Sequence, residues 1–296
     1  MAEASAGRDR GPSARAGADG VRGREDKGTT IVCLDFDGTL VDDEGRIHPA
    51  DVELLANERS VAFVPATGRP LHSVRRTFER YELFVGRPIP FPLVLENGAA
   101  VYDENEELRA QRCFDPDLQD ALMRVVLAST GANFLIYSLD EVGLLRPDEK
   151  LLSLVRRFDM DPQPFDPDAM KPLTKVAATA GDLETLRAFE ASTAGLPLEL
   201  TYSLPNVLEL TPVGVHKGQG LATLLDGTER ADAGGEVVVA GDGENDLALF
   251  DLATLSFAPA DSPPEIRARA DRVLDVRKEG LLTPILREVR ARANGA

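Results

Sequence analysis

The stretch Thr29–Asp43, TTIVCLDFDGTLVDD, decides how this chain is read. Its first half, Thr29 to Leu34, is a largely apolar run of strand length, the pattern of a strand buried on both faces. Its second half delivers two carboxylates, Asp35 and Asp37, onto a turn at Gly38. Ionised carboxylates at the end of a buried strand need a compensating charge or ligand, because burying them alone is costly.

Further apolar runs on either side of this stretch supply the context. Ser60–Ala66 (SVAFVPA) reads as a second strand opening onto TGRP, and a helix follows from Pro70 to about Glu82. Proline costs little at a helix start, where its missing N–H has no partner in any case. Phe91–Gly98 (FPLVLENG) is a third strand stopped by Asn-Gly. Alternating strands and helices predict an α/β fold, a Rossmann-like parallel sheet with helices on both faces.

The middle of the chain has a different grain. AAVYDENEELRAQR reads as a hairpin about Asp103–Glu106, and Asp115 caps a helix whose Leu118, Leu122, Val125 and Val126 share one face. Strands are predicted over 133–139, 174–180 and 196–203, helices near 148–158 and 182–193, and a loop over the Pro-rich stretch DMDPQPFDPDAMKP. Residues 104–206 are expected to form an inserted α/β cap on a core built from 29–103 and 207–296. The tail resumes the first pattern. HKGQGLATLL opens a helix, EVVVAGDGEND is a strand ending in carboxylates, ATLSFAP and DRVLDV are short strands, and a last helix starts near Lys278.

Composition narrows the function. A net charge of −17 argues against a nucleic-acid partner, which normally meets a basic footprint. It leaves room for a small anion held by a local cluster or a metal ion. The two cysteines, Cys33 and Cys113, form no metal motif, and no apolar run is long enough to span a membrane. A cytoplasmic protein with no membrane partner is expected. Residues 1–28, rich in Ala, Gly and Arg, are expected to be a disordered extension.

In open parallel sheets ligands bind beyond the carboxyl ends of the strands. Asp35 and Asp37, Thr67-Gly68-Arg69, Lys217, and Asp242, Asn245 and Asp246 all fall at or near such ends. Clustered carboxylates without His or Cys suit a hard cation such as Mg²⁺. The lysine and the Thr-Gly backbone suit phosphoryl oxygens, and Gly38 lets successive N–H groups turn toward an anion. Each of these elements alone reads as an ordinary turn, cap or surface charge; their conjunction points to phosphoryl chemistry.

The segments DFDGTL, ATGRP, HKGQGL and GDGEND, in that order, resemble the four motifs of the haloacid dehalogenase superfamily of phosphatases. The long insert after the second motif, with LENGAAVYD, resembles the Cof-like subgroup with a type IIB cap. The resemblance implies Asp35 as nucleophile, Asp37 as acid and base, Thr67 on the phosphoryl oxygens with help from Gly68, and Lys217 neutralising charge. It implies Mg²⁺ held by Asp35, Asp37 (through its carbonyl) and Asp242, with Asp246 bound directly or through water, and places Phe36, Gly38, Arg69 and Asn245 about the phosphate. Pro65 departs from the small or apolar residue usual before Ala-Thr-Gly-Arg, and removes no catalytic position. The implied activity is hydrolysis of a small phosphorylated metabolite, a sugar phosphate above all, by a monomer or homodimer. A phosphosugar mutase and a catalytically silent binding or regulatory protein are the alternatives. His48 and His72 are expected at the surface or as caps, and His216 in a structural role or against substrate. Arg146, Arg156 and Arg157 are expected on solvated helix faces, with a second anion contact as the alternative.

Overall fold

The computed structural model describes residues 29–139, 141–226 and 235–295. The expected disordered extension, 1–28, lies outside the described residues. Two sheets organise the chain. The first has eight strands in the order β14-β13-β12-β1-β2-β3-β4-β5. These are β1 (Ile31–Asp35), β2 (Ala62–Ala66), β3 (Leu93–Leu95), β4 (Ala100–Tyr102), β5 (Leu108–Gln111), β12 (Val237–Ala240), β13 (Leu255–Pro259) and β14 (Arg272–Leu274). The six strands from β14 to β3 pair in parallel, and β4 and β5 add an antiparallel hairpin at one edge.

The opening stretch explains itself in this sheet. Along β1 the side chains alternate between two cores. Val32 and Leu34 pack with Phe63, Leu93 and Ile285, whereas Ile31 and Cys33 pack with Val64, Val239 and Leu221. A strand with helices on both faces has no wet side, so its apolar run is continuous. Cys33 is fully buried, and burial pushes its thiol pKa up, as befits a small core residue.

The second sheet has six strands in the order β10-β11-β9-β6-β7-β8. They are β6 (Ala132–Ser138), β7 (Val142–Leu145), β8 (Gln163–Pro164), β9 (Leu173–Ala180), β10 (Leu198–Leu204) and β11 (Val207–Pro212). Helices α3 (Pro116–Ala128) and α5 (Leu183–Ser192) supply Leu122, Val126, Leu186 and Phe189 to one apolar layer of this sheet. Helix α4 (Glu149–Arg157) supplies Leu151 and Val155 to another. Asp115 caps α3 as expected, accepting from the Asp117 amide.

Strand pairing does not follow the expected insert limits of 104 and 206. Strand β5 belongs to the first sheet, because the turn at 103–106 closes the β4–β5 hairpin. Strand β11 belongs to the second, paired between β10 and β9. The chain thus leaves the first sheet after Gln111 and rejoins it beyond Pro212. The Pro-rich stretch expected to be a loop contains β8, paired in parallel with β7, which the sequence reading also passed over. Helices α1 (Pro49–Asn57), α2 (Leu71–Glu79) and α6 (Lys217–Leu225) return to the first sheet's layers. His48 and His216 are N-caps, their Nδ1 atoms accepting from Ala50 and Gln219 amides. Among the described residues no helix is long and apolar enough to cross a membrane.

Candidate active site

Strands β1, β2 and β12 are neighbours, so their carboxyl ends bring Asp35, Thr67 and Asp242 to one edge. Lys217, at the start of α6, reaches this edge from beneath. Its Nζ donates to Asp35 Oδ1 at 2.5 Å and to Asp246 Oδ1 at 2.7 Å, with all three side chains buried. The second Asp246 oxygen accepts the amides of Asp242 and Gly243, each at 3.0 Å, which folds the GDGEND turn around that carboxylate. Thr39 Oγ1 donates to Asp242 Oδ1 at 3.0 Å.

Gly38 makes this approach possible. Its φ is +87°, and a Cβ there would lie 2.6 Å from the Asp242 carboxylate carbon. Glycine meets both the left-handed backbone and the contact. The Gly38 amide donates to the Val41 carbonyl and the Val41 amide to the Phe36 carbonyl, closing the turn behind the two aspartates.

The charges are crowded. Asp35, Asp242 and Asp246 each offer a carboxylate oxygen, all within 4.8 Å of one another. Burial, then repulsion from Asp246, raises the Asp35 pKa well above the usual carboxylate range, against the pull of Lys217. Asp242 is pushed up to about 6 by burial and by Asp246. For Lys217 burial works against the charge, yet Asp246 and Asp35 outweigh it and its pKa rises. Three carboxylates against one ammonium leave two negative charges, the charge of one divalent cation, and an all-oxygen donor set suits a hard ion. The residues present fit Mg²⁺.

Two of the expected phosphate contacts, Phe36 and Arg69, have buried side chains. The Phe36 ring is fully buried and packs edge-on against Phe78, outside the cavity. Arg69 is also buried, its Nε donating to Asp37 Oδ2 at 2.7 Å and one terminal nitrogen pairing with Asp37 Oδ1. Another nitrogen donates to Thr77, and the guanidinium lies between the rings of Phe36 (5.0 Å) and Phe158 (4.8 Å). Held on all sides, Arg69 orients Asp37. Gly38, Thr67, Gly68, Arg69 and Asn245 line the cavity with Asp35, Asp37, Lys217 and Asp242.

The insert supplies the opposite wall, with Tyr137, Phe158, Met160, Leu204 and Glu209. Its rim is tied to the core by exposed ion pairs, Arg157 to Asp43 at 3.1 Å and Asp159 to Arg80 at 3.0 Å. Of the three arginines considered for a second anion contact, Arg157 lines the cavity; Arg146 bonds the Val126 and Leu127 carbonyls, and Arg156 pairs with Glu149. The sequence reading named none of the aromatic wall. Its only available signal was aromatic residues inside strands and at a helix end, where packing explains them equally well.

This arrangement coincides with a family assignment. The family model of haloacid dehalogenase-like hydrolases matches residues 32–283, and the chain belongs to that family, in its Cof type. An uncharacterised hydrolase of Schizosaccharomyces pombe is 28% identical over 280 residues, covering 88% of this chain and 90% of that protein. A 5-amino-6-(5-phospho-D-ribitylamino)uracil phosphatase of Bacillus subtilis is 25% identical, covering 86% and 94%. Among solved structures, a protein of Thermotoga maritima superposes with a TM-score of 0.71 at 24% identity over 88% of this chain and 97% of that one. A sugar phosphatase of subclass IIB superposes with a TM-score of 0.70 at 18% identity, covering 88% and 99%. The fold is that of these hydrolases, and the chain is an enzyme of the hydrolase class, in agreement with the expected phosphoric monoester hydrolase.

Proposed function

We propose that the protein is a Mg²⁺-dependent phosphatase that hydrolyses a small phosphorylated metabolite, a sugar phosphate in the first instance, through an aspartyl-phosphate. The observation that carries this reading is Asp35, buried and held by Lys217 at 2.5 Å, facing the cavity beside Asp37 and Thr67. A carboxylate fixed by an ammonium is presented for attack along one direction.

Asp35 attacks phosphorus, the bond from phosphorus to the ester oxygen breaks, and Asp37 gives its proton to the departing alkoxide. Asp37, now a carboxylate, takes a proton from water, whose oxygen attacks phosphorus and releases Asp35 and inorganic phosphate. Thr67 and the Gly68 backbone donate to the non-bridging oxygens, and Lys217 favours the anionic form of Asp35 and holds it in place. Asp35, Asp242, Asp246 and the Asp37 carbonyl would hold Mg²⁺, which offsets the negative charge shared by nucleophile and phosphate. The insert acts as the cap; its Tyr137 and Phe158 face the leaving group and exclude water from the acyl phosphate.

The substrate class is supported by the cavity between core and insert and by relatives described as acting on small phosphate esters, among them a phosphoglycolate phosphatase of Methanopyrus kandleri. A panel of phosphorylated metabolites assayed for phosphate release with Mg²⁺ tests the reading. Asp35→Asn is expected to abolish turnover and retain the far-UV spectrum, and EDTA is expected to stop the wild type reversibly. Substantial turnover by Asp35→Asn refutes the nucleophile assignment.

A further inference from the structure

At the insert wall of the cavity, where Glu209 lines it, lies a second buried charge cluster, to which no step above assigns a role. Lys175, on β9 of the insert, is fully buried. Its Nζ donates to the Gly68 carbonyl at 2.6 Å and to Glu209 Oε1 at 2.7 Å, and it sits 4.2 Å from the centre of the Tyr137 ring. Those three partners occupy the three directions an ammonium offers. Glu209 Oε2 accepts from Asn97 Nδ2 at 2.6 Å, which ties the pair to the core.

The Gly68 carbonyl belongs to the peptide whose other end is the Arg69 amide, and that amide donates to Thr67 Oγ1 at 3.2 Å. With its oxygen accepting from Arg69, the hydroxyl of Thr67, a residue that lines the cavity, keeps its own hydrogen to donate. Thr67 is otherwise fixed by its amide on the Val94 carbonyl and by its carbonyl on the Asn97 amide. A positive charge on one end of a peptide polarises the N–H at the other, and hydrogen bonds in such a chain strengthen one another. The packing at Gly68 is tight, since a Cβ there would lie 3.1 Å from Asn97 Oδ1 and 3.2 Å from Glu209 Oε2.

We propose that Lys175 is a positioning residue for the phosphoryl group, acting from the cap through the Gly68–Arg69 peptide on the Thr67 hydroxyl. The inference rests on the reading of Thr67 as a phosphate ligand. It makes phosphate affinity depend on a side chain that never touches phosphate, and it means that the core alone holds an incompletely aimed Thr67.

The test is a double-mutant cycle on the intact chain, with inorganic phosphate as the probe and its dissociation constant measured by calorimetry in the presence of Mg²⁺. Lys175→Met and Thr67→Ala are each expected to weaken phosphate about three- to tenfold. Combined, they are expected to be no weaker than Thr67→Ala alone, because the lysine acts through the hydroxyl. A structural role for Lys175 predicts equal losses in both backgrounds, and that result overturns the proposal, as does an unchanged constant in Lys175→Met. If Thr67→Ala itself leaves phosphate binding intact, the assignment of Thr67 falls and the proposal falls with it, which separates the two failures. Lys175→Met leaves Glu209 buried without its counter-ion, so Lys175→Met/Glu209→Gln, with both charges removed, serves as the second background for the same cycle.

Discussion

Replacing Lys217 by Met isolates the electrostatics of the site from its chemistry. The ammonium makes two buried ion pairs, at 2.5 and 2.7 Å, inside a group of three carboxylates. Removing one partner of a buried pair costs about 3–5 kcal/mol, because the remaining charge is left without compensation. Lys217→Met is therefore expected to lose about 3–5 kcal/mol of unfolding free energy in EDTA, read from urea denaturation followed by circular dichroism. A divalent cation brings two positive charges to the same oxygens. At a concentration a hundredfold above its dissociation constant, a ligand bound only by the folded state adds about 2.7 kcal/mol. Saturating Mg²⁺ is expected to return a larger share of stability to the variant than it adds to the wild type. A Lys217→Met protein within about 1 kcal/mol of wild type in EDTA refutes the buried-charge argument, since that is the scale of an exposed pair. A magnesium gain no greater than that of the wild type refutes the idea that cation and ammonium share these carboxylates.

Three further outcomes are expected. Burial pushes the Glu96 carboxyl from 4.5 up to about 7, relieved in part by the Thr174 hydroxyl and Lys175, so the folded state holds its proton more tightly than the unfolded chain. Stability from that difference is present below pH 4.5 and lost as pH rises to about 7; Glu96→Gln should gain about 3 kcal/mol over wild type at pH 8 and nothing at pH 4, measured by denaturation at both values. Gly38→Ala forces a side chain into a left-handed backbone position and against Asp242, and is expected to cost about 1–3 kcal/mol and weaken Mg²⁺ about tenfold by calorimetry. Asp51 accepts the buried amides of Leu281 and Leu282, at 2.8 and 2.7 Å, so Asp51→Ala should lose about 2–4 kcal/mol in the same denaturation assay while kcat stays unchanged.

The core was legible because its signals are local. A two-face buried strand writes an unbroken apolar run, and the turns after Leu34, Ala66 and Gly241 show the polar residues they deliver. Such a segment reads the same in isolation as in the fold. The cap boundaries were harder, because VLELTP alternates like any sheet strand and nothing in it says which sheet it joins; β10, its hairpin partner, decides. The partners of Arg69 were hidden for a related reason. TGR announces a loop near phosphate, but only the tertiary arrangement shows that the guanidinium also meets Asp37, Thr77 and two aromatic rings. Lys175 and Glu209 did leave a trace, a single charge inside each of the otherwise uncharged strands LTKVAATA and VLELTP. A lone charge in a buried strand is costly unless partnered, and that argument, applied to Asp35, applied to them as well.

Strand β1 and its neighbour β12 carry a consequence for how this enzyme class tolerates change. The bonds that close the site join residues 182 apart (Lys217 and Asp35) and 203 apart (Thr39 and Asp242). About half of that separation is the insert, and its two ends meet. The Arg112 amide donates to the Ala99 carbonyl, and a Cβ on adjacent Gly98 would lie 2.9 Å from the His216 carbonyl carbon. The entropy of closing a loop grows only with the logarithm of its length, about 0.6 kcal/mol per doubling. The insert thus behaves as an excursion that starts and finishes at one doorway. Lengthening, shrinking or exchanging it barely taxes the registration of β1 against β12, so the hydrolytic edge can stay fixed while the surface that chooses the ester drifts.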